Sequence, residues 1–286
     1  WSARVFAQTP FLVKDINPGT EIGLQWVTDF ECSNGLYFFI ARSEDSGNEL
    51  WRSDGTEAGT YLVKDINPDN SNVQNVSDIF PFNGGVLFGG EDNLNGKEPW
   101  FSDGTEAGTF MLADIETGTL SSIVIGNWAE INGKAVFTAF FEQSGQELFV
   151  TDGTSAGTGL LKEISVGAFS NSGLVGTGYG AGFFEFDGNL YFIGNDNING
   201  FELWKTDGTT SGTEVLKDIN PGSNDGMSSG FNIEQYYVFN DEMYFVAEDG
   251  TNGIEVWKTN GTESGTIMLS DINNAGDAFT TGSAYP

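Results

Sequence analysis

Short apolar runs bounded by turn residues recur along the whole chain. Five of them read "LYFFIA", "VLFGG", "AVFTAF", "LYFIG" and "MYFVA". A strand with one wet face would alternate apolar and polar residues, so these runs predict strands buried on both faces. The turns "SNGL", "FNGG", "INGK", "FDGN" and "FNDE" precede them, and Asn-Gly or Asp-Gly at such a place indicates a tight hairpin. No stretch has the period of an amphipathic helix of twelve or more residues.

A longer phrase repeats at a period of about fifty residues. It first reads "WRSDGTEAGTYLVKDINP", and its Asp-Gly-Thr element starts at positions 54, 103, 152 and 207 and, with Asn in place of Asp, at 260, at intervals of 49, 49, 55 and 53. A sixth copy of its last part, "FLVKDINPG", lies at Phe11–Gly19. A period of this length made of short strands is typical of a β-propeller.

Each period divides into four strands, which are Trp26–Ser33, Leu36–Arg42, Glu49–Ser53 and Thr60–Ile66 in the first copy. We therefore predict an all-β protein, a single β-propeller domain over residues 1–286 with four-stranded antiparallel blades. The five complete blades are expected at about 26–66, 78–115, 127–164, 183–219 and 234–272. In such blades the connections between strands two and three lie at the same end as those between successive blades.

The segment 11–17 is predicted as an additional fourth strand of a blade that precedes the first. We expect a partial, composite sixth blade from the two termini, in which Arg4–Gln8 and the C-terminal "DAFTTGSAYP" add strands. The alternatives are a five-bladed ring with the extra strand at an edge, or a segment cut from a longer chain. The first residue, Trp1, also predicts a processed or excised segment.

The repeated residues are predicted to be scaffold. One position of the third strand is always aromatic, and an aromatic ring there suits a wedge between blades. These residues are Trp51, Trp100, Phe149, Trp204 and Trp257. The Asp of Asp-Gly-Thr can accept hydrogen bonds from the backbone two residues on. The five positions are Asp54, Asp103, Asp152, Asp207 and Asn260. Asn can form the same turn but cannot replace a general acid or base, which favours a structural role.

These residues also carry a family resemblance. "ELWRSDGTEAGT" at Glu49–Thr60 and "ELWKTDGTTSGT" at Glu202–Thr213 resemble the ELWxxDGT-repeat family of secreted bacterial β-propeller proteins. The resemblance covers nearly the whole chain, and the departures are Pro99, Phe149, Val256 and Asn260. It implies an exported, multi-repeat protein of the cell surface and implies no enzyme activity.

The charge balance excludes several partners. The chain has 41 acidic and 11 basic residues, no His and a net charge of -30. A nucleic-acid surface needs clustered Lys and Arg, so DNA and RNA are excluded. No apolar run approaches the ~20 residues of a membrane span, so membrane insertion is excluded too. One Cys, Cys32, and no His cannot form a Cys/His zinc site.

Three loops between the second and third strands carry oxygen donors that suit calcium, "EDNLNGKE", "NDNINGFE" and "EDGTNGIE". The candidate ligands are Asp92, Asn95, Glu98, Asp196, Asn199, Glu202, Asp249, Asn252 and Glu255. The alternative is a set of Asn-Gly hairpin turns with solvated acids, in which the repeated Glu bonds backbone within its own blade.

The function expected from these features is a non-enzymatic adhesion, structural or protein-interaction module, located outside the cell or on its surface. Calcium is its expected cofactor, and other surface proteins, copies of itself or glycans are its expected partners. The alternative is a lectin with sites between blades, although the aromatic candidates Trp26, Trp128 and Tyr237 do not recur in register. A hydrolase would need a reactive pair unique to one blade, and no pair stands out.

Overall fold

Five four-stranded antiparallel sheets make up the regular structure. The structure is a computed structural model that describes residues 11–18, 30–43, 46–68, 76–122, 127–140, 145–165, 182–227, 236–274 and 276–278. These residues contain no α-helix, only a 3-10 turn at Ser155–Gly157, and so no helix that could cross a membrane. The prediction of an all-β protein built from four-stranded antiparallel units is confirmed.

Each sheet is a simple meander in which consecutive strands are neighbours. The first sheet contains β1 (Phe30–Ser33), β2 (Leu36–Arg42), β3 (Asn48–Ser53) and β4 (Tyr61–Leu62). The second contains β5 (Val76–Phe82), β6 (Gly85–Asp92), β7 (Gly96–Ser102) and β8 (Thr109–Met111). The third contains β9 (Trp128–Ile131), β10 (Lys134–Phe140), β11 (Gln146–Thr151) and β12 (Gly159–Lys162). The fourth contains β13 (Phe184–Phe186), β14 (Asn189–Asn195), β15 (Phe201–Thr206) and β16 (Glu214–Val215). The fifth contains β17 (Tyr237–Phe239), β18 (Glu242–Glu248), β19 (Ile254–Thr259) and β20 (Ile267–Met268).

The fourth strands are shorter than predicted. In the first sheet the strand expected over Thr60–Ile66 is only Tyr61–Leu62. The reason is that the backbone N–H of Ile66 donates to the side-chain carboxylate of Glu49 instead of to a backbone carbonyl of β3. The segment 11–17 likewise has no strand pairing among the described residues. The proposed contributions of residues 4–8 and 279–286 to a sixth blade lie outside the described part of the chain.

The hairpins between the first and second strands have the predicted turn. Both central residues have positive φ in all five sheets, for example 50° at Asn34 and 77° at Gly35. Asn and Asp tolerate this region through local hydrogen bonds, and Gly has no Cβ to clash there. In the fifth sheet the pair is Asn240 and Asp241, with φ of 52° and 58°. The turn of the fifth sheet therefore keeps the same conformation although its second central residue is not Gly.

The Asp-Gly-Thr turns form one hydrogen-bonded unit in every sheet. Asp103 Oδ1 accepts from the backbone N–H of Thr105 at 2.8 Å and from its hydroxyl at 2.7 Å. The Thr105 hydroxyl in turn accepts from the backbone N–H of Gly108 at 3.0 Å. Asn260 makes the same two bonds to Thr262, at 3.1 and 2.7 Å. Each turn is therefore closed by hydrogen bonds within its own repeat.

The second Gly of the repeat is required by this turn. A Cβ at Gly108 would lie 2.1 Å from Asp103 Oδ1, far inside van der Waals contact. The equivalent glycines of the other four sheets have the same close approach, at 2.0 to 2.1 Å. The repeat Asp-Gly-Thr-x-x-Gly-Thr therefore needs Gly at its sixth position because the carboxylate occupies the space of a side chain.

Successive sheets pack face to face. Leu50, Val63 and Ile66 of the first sheet share one buried cluster with Phe88 and Trp100 of the second. The third and fourth sheets, and the fourth and fifth, are joined by clusters of the same make-up. The third-strand aromatic residues are 3% to 7% exposed, which agrees with the predicted wedge between neighbouring units.

Polar contacts also join successive sheets near the ends of their strands. Lys64 Nζ donates to the carbonyl of Thr109 in the next sheet at 2.9 Å. Lys14 of the N-terminal segment donates to the carbonyl of Thr60 at 2.7 Å, and Ile16 packs against the first sheet beside Trp51. The segment 11–17 therefore lies on the first sheet as a fourth strand lies on the sheet that follows it.

We expect Asp103→Asn to change the free energy of unfolding by less than about 0.5 kcal/mol, since Asn260 already forms the same turn. Gly108→Ala should destabilise the protein by about 1–3 kcal/mol, because its methyl group collides with the Asp103 carboxylate. Urea unfolding of both variants measures the difference.

The double variant Asp103→Ala with Gly108→Ala is the control. It removes the colliding carboxylate, so it should cost less than the two single changes added together. Additive costs would show that the close approach does not determine the residue at this position.

Candidate functional site

The loops between second and third strands meet the connections to the next sheet at one end of the molecule. In the second sheet the backbone N–H of Lys97 donates to Ser121 Oγ at 3.0 Å, and that of Ser122 donates to the Lys97 carbonyl at 3.1 Å. In the fourth sheet Phe201 N–H donates to Asp225 Oδ1 at 2.9 Å. This is the loop arrangement expected from the four-stranded topology, and it defines the candidate site, which we call the loop end.

Two of the three predicted calcium ligands of each loop lie together. Asp92 Oδ1 accepts from the backbone N–H of Leu94 and of Asn95, at 2.8 and 2.6 Å. Asn95 Nδ2 donates back to Asp92 Oδ2 at 2.9 Å. The same closed pairs form in the fourth and fifth sheets. They are Asp196 with Asn199 and Asp249 with Asn252.

The third predicted ligand, the glutamate, is bonded elsewhere. Glu98 is fully buried and accepts from Ile115 N–H at 2.9 Å, from Ser122 N–H at 3.2 Å and from the Ser122 hydroxyl. Among the described residues no group of three or more Cys, Asp or Glu side chains is placed to hold a metal. Calcium binding by the three loops stays a prediction, and the alternative of a Glu that bonds backbone describes the observed contacts.

The buried glutamate is the common element of the loop end. Its relative exposure is 0% in all five sheets. The five residues are Glu49, Glu98, Glu147, Glu202 and Glu255. Each carboxylate accepts from backbone N–H groups 17 or 18 residues later, where the chain leaves the fourth strand. The glutamate thereby fixes the connection to the next sheet.

An acidic residue lies sixteen residues after each glutamate, and sequence reasoning did not pair the two. The partners are Asp65, Asp114, Glu163, Asp218 and Asp271. The constant spacing was a signal that could have revealed them. Asp114 and Glu163 are exposed, whereas the other three are partly buried. The loop end therefore holds a repeated pair of acids whose environment differs from sheet to sheet.

Burial changes the acidity of these glutamates. Loss of solvation raises the pKa of Glu98 and of Glu147 to about 7, against the effect of their hydrogen bonds. The pKa of Glu202 is raised to about 8, first by burial and further by the negative charge of Asp218. A pKa raised this far above the usual range means that these carboxyl groups take up protons more readily in the folded protein than in the unfolded chain.

The aromatic residues proposed for a lectin do not form a repeated surface. Trp128 is half-buried against Phe137, with ring centroids 4.6 Å apart. Tyr237 is 68% exposed in the fifth sheet. Trp26 lies outside the described residues. No equivalent set of exposed rings links these positions in the described part of the chain.

No model of a known protein family matches the chain, and no curated protein matches it. Among solved structures it is similar to a puromycin hydrolase, at 15% identity and a TM-score of 0.40 over 82% of this chain and 36% of the hydrolase. It is also similar to a putative TolB from Agrobacterium tumefaciens, at 12% identity and a TM-score of 0.39 over 82% of this chain and 76% of that one.

A third solved structure is an uncharacterized protein from Listeria monocytogenes, at 10% identity and a TM-score of 0.40 over 85% of this chain and 67% of that one. Similarities this distant say nothing about what this chain binds or catalyses. The resemblance to the ELWxxDGT-repeat family stays a prediction.

We expect the protein to lose stability as the pH rises from about 4.5 to 8. Carboxyl groups with raised pKa bind more protons in the folded state than in the unfolded state over this window, so folding is favoured at its acid end. In Glu147→Gln the decrease in the free energy of unfolding over this pH range should be smaller by about 1–3 kcal/mol, since each unit of pKa shift corresponds to about 1.4 kcal/mol. Thermal melting at several pH values measures the slope.

Glu130→Gln is the matched control, because it removes the same charge from an exposed strand position of the same sheet. Its pH profile should follow that of the unchanged protein. Equal flattening by both variants would mean that overall charge, and not burial of Glu147, sets the pH dependence.

Proposed function

We propose that the chain is a non-enzymatic, extracellular β-propeller module that serves protein interaction in an adhesion or surface assembly. The observation that carries the proposal is the use of the repeated polar residues. In each sheet the Asp or Asn of the turn and the buried Glu are bonded to backbone of their own repeat. The repeats thus build a framework, and the loop end, whose sequences differ between copies, is left for recognition.

A ring of six positions is the architecture we propose for this framework. The apolar face with which one sheet meets the next is buried in the first sheet, where Val63 and Ile66 are 3% and 7% exposed. In the fifth sheet the equivalent Leu269 and Ile272 are 48% and 62% exposed. A sixth sheet that has the segment 11–17 as its fourth strand would cover this face and close the series.

The placement of Lys14 and Ile16 supports this closure. Both residues contact the first sheet as their counterparts Lys64 and Ile66 contact the second. Phe11 and Leu12, at the start of the same segment, are 74% and 77% exposed. A third strand beside them would bury these side chains and supply the missing strand pairing.

The non-enzymatic assignment rests on the repetition itself. The two acids of each pair at the loop end are separated by the same number of residues in all five sheets, which is typical of residues with a structural role. A hydrolytic centre is expected to occupy a single place in the molecule. The net charge of -30 favours partners that bring cations or basic groups.

Ile272→Asp tests the closure. If the face is covered in solution, a carboxylate there should destabilise the protein by more than about 2 kcal/mol, as burial of an unpaired charge does. Leu94→Asp, at an exposed loop tip, is the control and should change stability by less than about 0.5 kcal/mol. Similar small effects of both changes would contradict a covered face.

Mass photometry on the same variants separates the two ways to cover it. If the unchanged protein is a monomer and Ile272→Asp destabilises it, a sixth sheet from this chain covers the face. If the unchanged protein is an oligomer and Ile272→Asp dissociates it, a second copy of the chain covers the face.

The interaction function is tested with the intact chain on immobilised copies of itself and on a glycan array. Concentration-dependent binding to copies supports an assembly role. Glycan binding that Tyr237→Ala abolishes would establish the lectin alternative instead. Turnover of ester or peptide substrates by the purified chain would overturn the non-enzymatic assignment.

A further inference from the structure

An isoleucine of each repeat packs in one apolar cluster with an aromatic ring of the sheet that follows. In the first sheet Ile66 shares a cluster with Trp100 of the second. Equivalent clusters hold Ile16 with Trp51, Ile115 with Phe149, Ile164 with Trp204 and Ile219 with Trp257. The aromatic residue is in each case the one at the repeated third-strand position, so the same pair of side chains joins each described unit to the next.

The isoleucine of the fifth sheet is left uncovered. Ile272 is 62% exposed, and Leu269, three residues before it, is 48% exposed. In the fourth sheet the equivalent Ile219 and Leu216 are only 4% and 3% exposed. The fifth sheet therefore presents the surface that a third-strand aromatic residue covers in the other sheets.

Trp1 has the spacing of such a residue. In the first sheet Trp51 pairs directly with Leu62, eleven positions later. The same spacing separates Trp100 from Met111, Phe149 from Leu160, Trp204 from Val215 and Trp257 from Met268. Leu12 lies eleven positions after Trp1, in the segment that lies on the first sheet as a fourth strand does, and it is 77% exposed.

We propose that Trp1 is the third-strand aromatic residue of the sixth sheet, where it pairs with Leu12 and packs on Ile272 and Leu269 of the same chain. This inference rests on the six-position ring proposed above and names the residue that covers the exposed face. Propellers have about four to eight blades, so a ring of six favours closure within one chain over a row of copies. Because aromatic rings dominate the energetics of such interfaces, Trp1 would fasten the first repeat to the last.

This register places the segment Arg4–Gln8 in the link between the third and fourth strands instead of in a strand. Arg4 then takes the position of Asp54, and Thr9 takes that of Gly59. In the first sheet a Cβ at Gly59 would lie 2.0 Å from Asp54 Oδ1, which is why Gly is required there. The sixth copy has no carboxylate at the first position, so it does not need Gly at the second.

The first sheet also shows how the register can be tested. The Val63 N–H donates to the Leu50 carbonyl at 2.9 Å, so these two residues form a hydrogen-bonded pair. The adjacent pair, Trp51 and Leu62, is then a non-hydrogen-bonded one, in which the Cα atoms lie about 4.5 Å apart. A disulfide joins Cα atoms about 4.4–6.8 Å apart, so it can link two cysteines at such a pair.

Trp1→Cys with Leu12→Cys, in a Cys32→Ser background, should form a disulfide within the chain on mild oxidation. Trp1→Cys with Phe11→Cys is the matched control and should form one at least tenfold more slowly, because successive residues of a strand point to opposite faces. Non-reducing electrophoresis measures both rates. Equal rates would overturn the register, and disulfides between chains would overturn the assignment to the same chain.

Thermal melting of the intact chain tests the contact with the fifth sheet. Trp1→Ala should lower the melting temperature by about 5–10 °C, and Trp1→Phe should lower it by less than half as much, since Phe149 serves at this position in the third sheet. Trp1→Ala with Ile272→Ala should lower it by less than the two single shifts added together. Trp1→Ala with Leu94→Ala, at an exposed loop tip, is the control and should be additive. Additive shifts in both pairs would contradict the contact.

These measurements separate the inference from the proposals on which it rests. If Ile272→Asp destabilises the protein and Trp1→Ala does not, another residue covers the face, and the assignment of Trp1 is wrong while the ring stands. An oligomer that Trp1→Ala dissociates would show that Trp1 docks on a second copy, which would overturn closure within one chain. Binding to immobilised copies, which tests the proposed interaction function, is a separate measurement and can fail without changing these shifts.

Discussion

Each sheet of this protein carries apolar residues on both faces, so packing against neighbours on both sides is what stabilises it. In the first sheet Phe38 and Leu50 meet the following sheet, while Phe39 and Trp51 meet the preceding segment. Alternate residues of one strand thus pack against different neighbours, and polar residues that these strands bury, such as Glu49 and Ser53, are hydrogen-bonded. The buried third-strand aromatic residues and the covering of the first sheet by residues 11–17 follow from this double burial.

The same double burial explains why each sheet has a buried glutamate at the loop end. The connection that leaves the fourth strand has backbone N–H groups turned into the interface, and these need an acceptor once they are buried. The glutamate supplies it, at the cost of a carboxylate in a poorly solvated place, and burial raises the pKa of Glu98, Glu147 and Glu202 for this reason. Basic side chains are not among the groups that act on Glu98, Glu147 or Glu202. Some serve instead as links between sheets, as Lys64 does through the carbonyl of Thr109.

The parts of the fold set by local chemistry could be predicted from the sequence. Leu36–Arg42 is a strand with the predicted bounds, and Asn34 has the positive φ that its turn requires. The fourth strand was predicted too long, because its end is set by Glu49, which lies outside that strand. The role of Glu98 could be read only as an alternative to a loop ligand, since its partners are 17 to 24 residues away.

What distinguishes one sheet from the next lies at such distant positions. Ser122 and Gly226 hold the same place relative to their glutamates, yet only one of them provides a hydroxyl. The repeated sequence does not reveal this difference in hydrogen bonding, because the residues responsible lie in the connections between sheets, whose sequences vary. The framework is therefore the same in all sheets where they pack against one another, and it differs between sheets at the loop end.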